Sequence, residues 1–133
     1  MVAAKAGSDQ PWLADAAAEL AGQSGGVVDV VSADGLEMEA FSTLPRSELA
    51  EPAQRSAEAM AERIRAAGVE ATAHTLSGAV VRSVLVFAEE HDADVIVCGG
   101  SSRGVISRRL LGDQSMQLIR RSRRPVLVIT PPR

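Results

Sequence analysis

The segment CGGSSRGVISRRLLGDQS, from Cys98 to Ser115, has the clearest capacity for chemistry in this sequence. It holds four glycines and lies between an apolar run and a helical pattern. The N–H groups of such a turn, together with the dipole of the helix that follows, favour an anion such as phosphate. Asp113, however, stands near the end of the turn, where a phosphate would otherwise lie. The segment is therefore a candidate nucleotide-binding loop with a carboxylate at its anion position.

Other chemistries find little support in the residue types. His74 and His91 are far apart in the sequence, and Cys98 is the single cysteine, which excludes an internal disulfide and a cysteine metal cluster. No carboxylate pair or nucleophile–base set stands out. A phosphoacceptor domain needs a lysine near its last strand, but Lys5 is the one lysine of the chain. We therefore expect no metal site and no enzyme activity beyond, at most, slow ATP hydrolysis.

Length and composition indicate one globular domain over residues 1–133. The hydrophobic content of 46% argues against extensive disorder. No apolar run approaches the roughly 20 residues that a membrane-spanning helix needs, and no signal peptide is visible. These features predict a cytoplasmic protein without membrane insertion.

The net charge of −3 conceals an uneven distribution of charge. Residues 103–133 hold eight arginines and one acidic residue, whereas the other 102 residues hold six basic and sixteen acidic ones. A basic segment on an acidic body can meet phosphate, an acidic partner or anionic lipid. Nucleic-acid-binding surfaces usually add aromatic stacking platforms, but this chain has no Tyr, one Trp and two Phe. We therefore expect no nucleic-acid partner.

Short apolar runs alternate with helical patterns along the chain. The runs DVIVC and PVLVIT are β-branched and continuously apolar, as in strands buried on both faces of a parallel sheet. Asp29 interrupts a similar run, and VEATAHTL alternates as an edge strand does. The predicted strands cover residues 1–4, 26–31, 69–76, 94–98 and 125–130.

The predicted helices cover residues 11–22, 47–67, 80–91 and 111–121. Ser8 or Asp9 is the expected cap of the first helix, and Pro11 suits its first turn. Residues 33–46 form the one long connection and are expected to be a surface loop. Alternation of strands and helices predicts a parallel sheet with helices on both faces.

Three stretches of the sequence resemble the universal stress protein family, over nearly the whole domain. They are HDADVIVCGGSSRGVISRRLLGDQSMQLIRRSRRPVLVI, GAVVRSVLVFAEE and GSDQPWLADAAAELA. The resemblance implies an α/β fold with a five-stranded parallel sheet in the order 3-2-1-4-5. It also implies a site that, in one branch of the family, holds ATP with the motif G-x2-G-x9-G-[ST].

The ATP motif is incomplete in this sequence. Gly99 and Gly112 match its first and last glycines, but Ser102 replaces the second glycine and Asp113 the closing Ser or Thr. The family's acidic residue after the first strand falls on Ala6. By resemblance, the candidate nucleotide-binding residues are Ala6, Gly99, Ser101, Ser102, Arg103, Gly104, Gly112, Asp113, Gln114 and Ser115.

Each departure has a physical consequence. Ser102 adds a Cβ where glycine permits close approach to phosphate or a positive φ. Asp113 can cap the fourth helix itself, and Ala6 removes an acceptor for ribose or adenine. The sequence therefore predicts weakened or absent ATP binding and no cofactor; retained binding of ATP or AMP, with Mg²⁺, is the alternative. Arg108 and Arg109 are compatible either with phosphate pairing or with a solvated surface.

The apolar fifth strand is the expected dimer interface. In the implied strand order it is an edge strand, whose unpaired N–H and C=O groups invite another chain. The resemblance implies antiparallel pairing across a two-fold axis. We predict that Arg123, Arg124 and Pro125 lie at the rim of this dimer. The expected interface residues are Pro125, Val126, Leu127, Val128 and Ile129.

Two function classes follow from the sequence and the resemblance. One is a non-catalytic regulatory or signalling domain that acts as a homodimer, with a possible protein partner. The other is a sensor that binds ATP or AMP through the loop from Gly99 to Ser115. A third interpretation is that the chain is a cytoplasmic regulatory domain cut from a transporter or a sensor kinase, because domains of this family also occur attached to such proteins.

Overall fold

The sheet has five parallel strands in the order β3-β2-β1-β4-β5, as expected. The structure is a computed structural model that describes residues 1–35, 44–100 and 112–132. Within these residues the elements are β1 (Val2–Ala3), α1 (Pro11–Ser24), β2 (Val28–Ala33), α2 (Arg46–Ala66), β3 (Ala71–Leu76), α3 (Val80–Glu90), β4 (Ile96–Gly99), α4 (Gly112–Arg121) and β5 (Val126–Ile129). Each predicted strand and helix has its counterpart here, with ends displaced by a few residues.

Two hydrophobic cores, one on each face of the sheet, hold the helices in place. The first core lies under α1 and α2 and includes the fully buried Leu13 and Ile64. The second core lies under α3 and α4 and includes Val84, Phe87 and Leu118. Because the strands between these layers are covered on both sides, they need the continuously apolar runs seen in the sequence.

Helix α1 differs from the prediction at both ends. Its N-cap is Gln10 rather than Ser8 or Asp9, and no side chain caps it. Pro11 occupies the first helical position, where its missing N–H costs nothing, so the N-cap is Gln10, the residue before it. At the other end the helix continues to Ser24 and stops at Gly25, which adopts the left-handed conformation with φ of 69°.

Asp29, an unexpected charge in β2, has a partner on the neighbouring strand. Its Oδ1 lies 2.9 Å from His74 Nε2. Phe87 lies close to both histidines: its ring centroid is 4.8 Å from that of His74 and 3.7 Å from that of His91. The fold thus brings together two histidines that are distant in sequence. Across the described residues, no group of three or more His, Cys, Asp or Glu could hold a metal ion.

None of the helices within the described ranges is long and apolar enough to cross a membrane.

Candidate functional site

The strand order reverses between β1 and β4, which places a crevice at their carboxyl ends. The chain leaves β1 toward α1 on one face of the sheet and enters α4 from β4 on the other face. Open α/β sheets bind ligands at such a point, because the two diverging connections leave a gap. We call this gap the crevice. It lies beside Lys5, which comes shortly after β1, and beside Gly99, which ends β4.

The described candidate residues lie around the crevice. Ala6 is half-buried in the turn after β1, and Gly99 ends β4. Gly112 to Ser115 form the first turn of α4. Ser101, Ser102, Arg103 and Gly104 lie outside the described residues, as do Arg108, Arg109 and the side chain of Asp113. The capping of α4 by Asp113 therefore stays a prediction.

Side chains of the chain itself cover Gly99. A Cβ built on this glycine would lie 2.7 Å from Trp12 Cη2 and 2.8 Å from Gln10 Nε2. Both distances are shorter than a real Cβ shows, so a side chain at this position would have to displace the Trp12 ring and the Gln10 amide. By resemblance Gly99 is the first glycine of the ATP motif, and in this structure the indole ring of Trp12 lies against it.

Trp12 and Gln10 are the functional candidates that sequence reasoning missed. Lys5 N–H donates to Gln10 Oε1 at 3.0 Å, and Gln10 Nε2 lies close to Gly99. Trp12 is half-buried and packs against the first core. The available signal was that the single tryptophan of the chain stands in the first turn of the helix that follows the crevice.

Ser115 closes the other side of the crevice. It is buried, and its Oγ donates to the carbonyl oxygen of Gly99 at 3.1 Å. The thiol of Cys98 donates to the same Oγ at 3.9 Å. Burial raises the pKa of the Cys98 thiol, and this hydrogen bond lowers it less. The thiol therefore stays protonated, as expected for a core residue rather than a redox centre.

The Ser115→Ala variant tests this contact. We expect a loss of about 1 kcal/mol in the free energy of unfolding, because a hydrogen bond to the last carbonyl of β4 disappears. Urea denaturation measures the change. The control is Gln114→Ala, an exposed position in the same helical turn, for which a change below about 0.5 kcal/mol is expected. Equal losses for the two variants would contradict the assigned role of Ser115.

The turn after β1 is held from the side of α2. Ser56 Oγ accepts a hydrogen bond from Gly7 N–H at 3.0 Å, and Gly7 has a φ of 77°. A cavity of about 410 Å³ lies between this turn and α2. Arg63 lines the cavity but binds both carboxylate oxygens of Asp15, at 2.8 and 3.0 Å. This contact holds the pKa of Asp15 below its usual range and engages the guanidinium.

A cross-strand row of small residues lies near the carboxyl ends of β2, β1 and β4. Ala3 lies beside Val31 and Cys98 in the sheet register, so the next row places Ala4 between Ser32 and Gly99. Side chains of this row point toward α1 and α2, because they alternate with second-core residues. Ser32 is 1% exposed, and its Oγ has no hydrogen-bond partner within the described part of the chain.

This chain is similar in sequence to known proteins of one family. The model of the family described as "Universal stress protein family" matches residues 1–130. A curated universal stress protein of Methanocaldococcus jannaschii is 31% identical over 107 residues, which is 80% of this chain. The chain spans 63% of the length of that relative.

Solved structures show the same fold. A universal stress protein from Archaeoglobus fulgidus aligns with a TM-score of 0.79 and 26% identity, over 96% of this chain and 95% of that one. The A. fulgidus protein in complex with dAMP aligns with a TM-score of 0.76 and 27% identity, over 96% and 94% of the two chains. A universal stress protein in complex with cAMP aligns with 0.70 and 25%, over 97% and 94%.

Proposed function

Because the chain belongs to the universal stress protein family, we propose that it is a non-catalytic regulatory or signalling domain with weak or absent ATP binding. In this proposal it acts as a homodimer, in the cytoplasm and with a protein partner. The observation that carries the proposal is the covering of Gly99 by Trp12 and Gln10. A ligand at the crevice would first have to displace these two side chains.

Side chains around the crevice also support a non-catalytic role. The hydroxyl of Ser115 is engaged with the carbonyl of Gly99, and the pKa of the Cys98 thiol is raised by burial. A nucleophile needs an adjacent base or a lowered pKa, and neither group has one among the described residues. In this proposal, ATP hydrolysis at the site is at most slow.

A second candidate function is an adenine-nucleotide sensor. It is favoured by the relatives in complex with dAMP and cAMP, at 27% and 25% identity. For this chain we extend that observation to AMP, or to ATP with Mg²⁺, held by the loop from Gly99 to Ser115. A nucleoside monophosphate is the better fit of the two, because it presents fewer phosphate charges to the carboxylate of Asp113.

Reversion of the loop residues tests the two candidates against each other. We expect no binding heat when the parent is titrated with ATP, and measurable heat from the Ser102→Gly/Asp113→Ser variant and its Ala6→Asp derivative. A carboxylate about 4 Å from a phosphate charge costs roughly 4 kcal/mol at an effective dielectric near 20. Solvent and salt reduce this to about 1–2 kcal/mol, and each 1.4 kcal/mol is about tenfold in affinity.

Two further titrations make the reversion specific. The Asp113→Asn variant removes the charge and keeps the shape, so we expect it to recover part of the affinity gained by Asp113→Ser. AMP titrations of the same variants separate the contribution of the additional phosphates. Micromolar ATP binding by the parent would overturn the first candidate and favour the sensor.

The dimer that we propose uses the free edge of β5. Among the described strands, β5 pairs with β4 alone, which leaves its other edge open. Leu127 is 37% exposed, and Pro125 is also exposed. Val126, Val128 and Ile129 are half-buried against the two cores. An apolar edge of this kind supports pairing with the same strand of a second copy.

As an alternative, we propose that this chain is a regulatory domain of a longer transporter or sensor kinase. The curated relative extends beyond the region that matches this chain, which is compatible with such a context.

A further inference from the structure

We propose that a groove along the outer side of α3 is the docking site for an acidic helical segment of a partner protein. The groove has a volume of about 860 Å³, and its lining includes Arg82, Val86 and Glu90 of α3 and Arg121 of α4. We call it the α3 groove. This inference rests on the proposed function, in which the domain acts with a protein partner, and it adds the surface and the chemistry of that partner. Of the described lining residues, none belongs to β5 or to the crevice.

Among the described elements, α3 leaves one of its sides uncovered. Its buried residues, which include Val84 and Phe87, face the second core. Arg82, Val86 and Glu90 are spaced four residues apart and are all exposed, so they form a row on the other side of the helix. The row extends over about 12 Å, because each residue of an α-helix adds about 1.5 Å. This length of about two helical turns suits a second helix lying along the row.

The two arginines of the α3 groove have no carboxylate partner within the described residues. No acidic residue stands three or four positions from Arg82 or Arg121, so their own helices offer none. Glu90 lines the same groove and forms no ion pair with either of them. Carboxylates lie instead within 2.8 to 3.9 Å of four other arginines, namely Arg55, Arg63, Arg65 and Arg124. Two guanidinium groups at one groove are therefore available to a partner.

Val86 gives the α3 groove an apolar centre. Its side chain is 46% exposed and stands in the row between Arg82 and Glu90. Leu76 and Phe87 line the groove as well, and both pack in the second core, so the base of the groove is held in place. Burial of apolar surface is favourable, so an apolar side chain of a partner would be stabilised against Val86.

Charge complementarity identifies the occupant of the α3 groove. Guanidinium groups bind carboxylates through paired hydrogen bonds, and the start of α3, which no side chain caps, adds the positive end of a helix dipole. A helix with a leucine between glutamates therefore matches the groove, with a neutral or basic residue opposite Glu90. A bilayer surface is too flat to enter a groove. A nucleic acid would find only the buried ring of Phe87 among the aromatic side chains of the described lining.

A fluorescein-labelled peptide tests the α3 groove. The peptide has about 16 residues, enough for a helix, with a leucine at its centre and a glutamate one turn away on either side. Its control has glutamine in place of each glutamate. Fluorescence anisotropy with the full chain measures both peptides at low and at high salt. We expect the glutamate peptide to bind about tenfold more tightly than the glutamine peptide. The difference is expected to shrink at high salt, because exposed charges are screened.

Substitutions in the α3 groove locate the contact. Arg82→Glu and Arg121→Glu are each expected to weaken binding of the glutamate peptide about tenfold, because an attraction becomes a repulsion. The matched control is Arg120→Glu, the same change of charge at an exposed residue outside the described lining, for which a change below about twofold is expected. Val86→Ser is expected to weaken binding about threefold, and Glu90→Gln to tighten it about twofold. All five positions are exposed, so circular dichroism is expected to show an unchanged fold.

The outcomes separate the α3 groove from the proposed function. Absent or equal binding of the two peptides by the parent, or equal losses for Arg120→Glu and Arg121→Glu, would overturn the groove. Tighter binding of phosphatidylserine vesicles or of a single-stranded RNA than of the glutamate peptide would also overturn it, because the occupant would then be a different molecule. None of these measurements depends on ATP or on the mass of the dimer. Micromolar ATP binding or a monomeric parent would instead overturn the proposed function and leave the peptide result standing.

Discussion

The Leu127→Lys variant is expected to be a monomer at concentrations at which the parent is a dimer. In the proposed dimer, two copies of β5 pair along their open edges, and the exposed Leu127 side chain lies within that contact. A lysine on an edge strand opposes pairing, because the two charges would face each other across the two-fold axis. A central contact of this kind contributes about 2 kcal/mol or more to association, which is roughly thirtyfold in the dissociation constant.

Leu127 is the position of choice because its neighbour Val128 serves two purposes. Val128 packs against the second core, so a lysine there would weaken the fold as well as the edge. Sedimentation velocity or light scattering over a dilution series measures the mass. The control is Val27→Lys, which is 63% exposed and lies near the start of β2, with β1 and β4 between it and β5. A parent that is monomeric throughout the series would refute the proposed dimer.

The Gly99→Ala variant is expected to lose about 1–3 kcal/mol of folding free energy, the usual cost of overpacking. The new Cβ would lie 2.7 Å from Trp12 Cη2 and 2.8 Å from Gln10 Nε2. Trp12 is held by the first core and Gln10 by Lys5 N–H, so neither can withdraw without losing contacts. The cost arises from this collision, since a Cβ at this residue meets no other group at so short a distance.

A double-mutant cycle isolates the collision. In the Trp12→Ala background, Gly99→Ala is expected to cost clearly less, because the ring that it meets is gone. The matched control is Gly22→Ala in α1, where a Cβ would find Val69 Cγ2 at an ordinary 3.8 Å. That variant is expected to gain up to about 1 kcal/mol from better helix propensity. Denaturant unfolding measures the four proteins of the cycle and the Gly22→Ala control, and an equal cost of Gly99→Ala in both backgrounds would disprove the contact.

These two predictions concern parts of the molecule that the sequence describes unequally. The sequence predicts the β5 edge from a short apolar run that follows Pro125 and from the strand order that the family resemblance implies. The contact between Trp12 and Gly99 cannot be predicted from the sequence, because the two residues are 87 positions apart and no local pattern links them. The sequence identified Gly99 as a motif residue but did not predict that Trp12 and Gln10 pack against it.

The amino-acid sequence by itself determined the alternation of strands and helices and the positions of the elements to within a few residues. It did so because strand burial and helix amphipathicity are periodic along the chain and depend on near neighbours. Gly25 rather than Gly22 ends α1, and Gln10 rather than Ser8 or Asp9 begins it, because capping depends on the conformation that each residue adopts.

Only the tertiary structure decided what lies in the crevice. Because β1 pairs with β4, the segment after β1 places Gln10 and Trp12 against Gly99. The position of α4 brings Ser115 Oγ to the carbonyl oxygen of Gly99. It likewise joined Asp29 to His74 across two strands. Such contacts depend on register and on crossing connections, which local sequence patterns do not encode, so the side chains that cover Gly99 became visible only once the sheet was assembled.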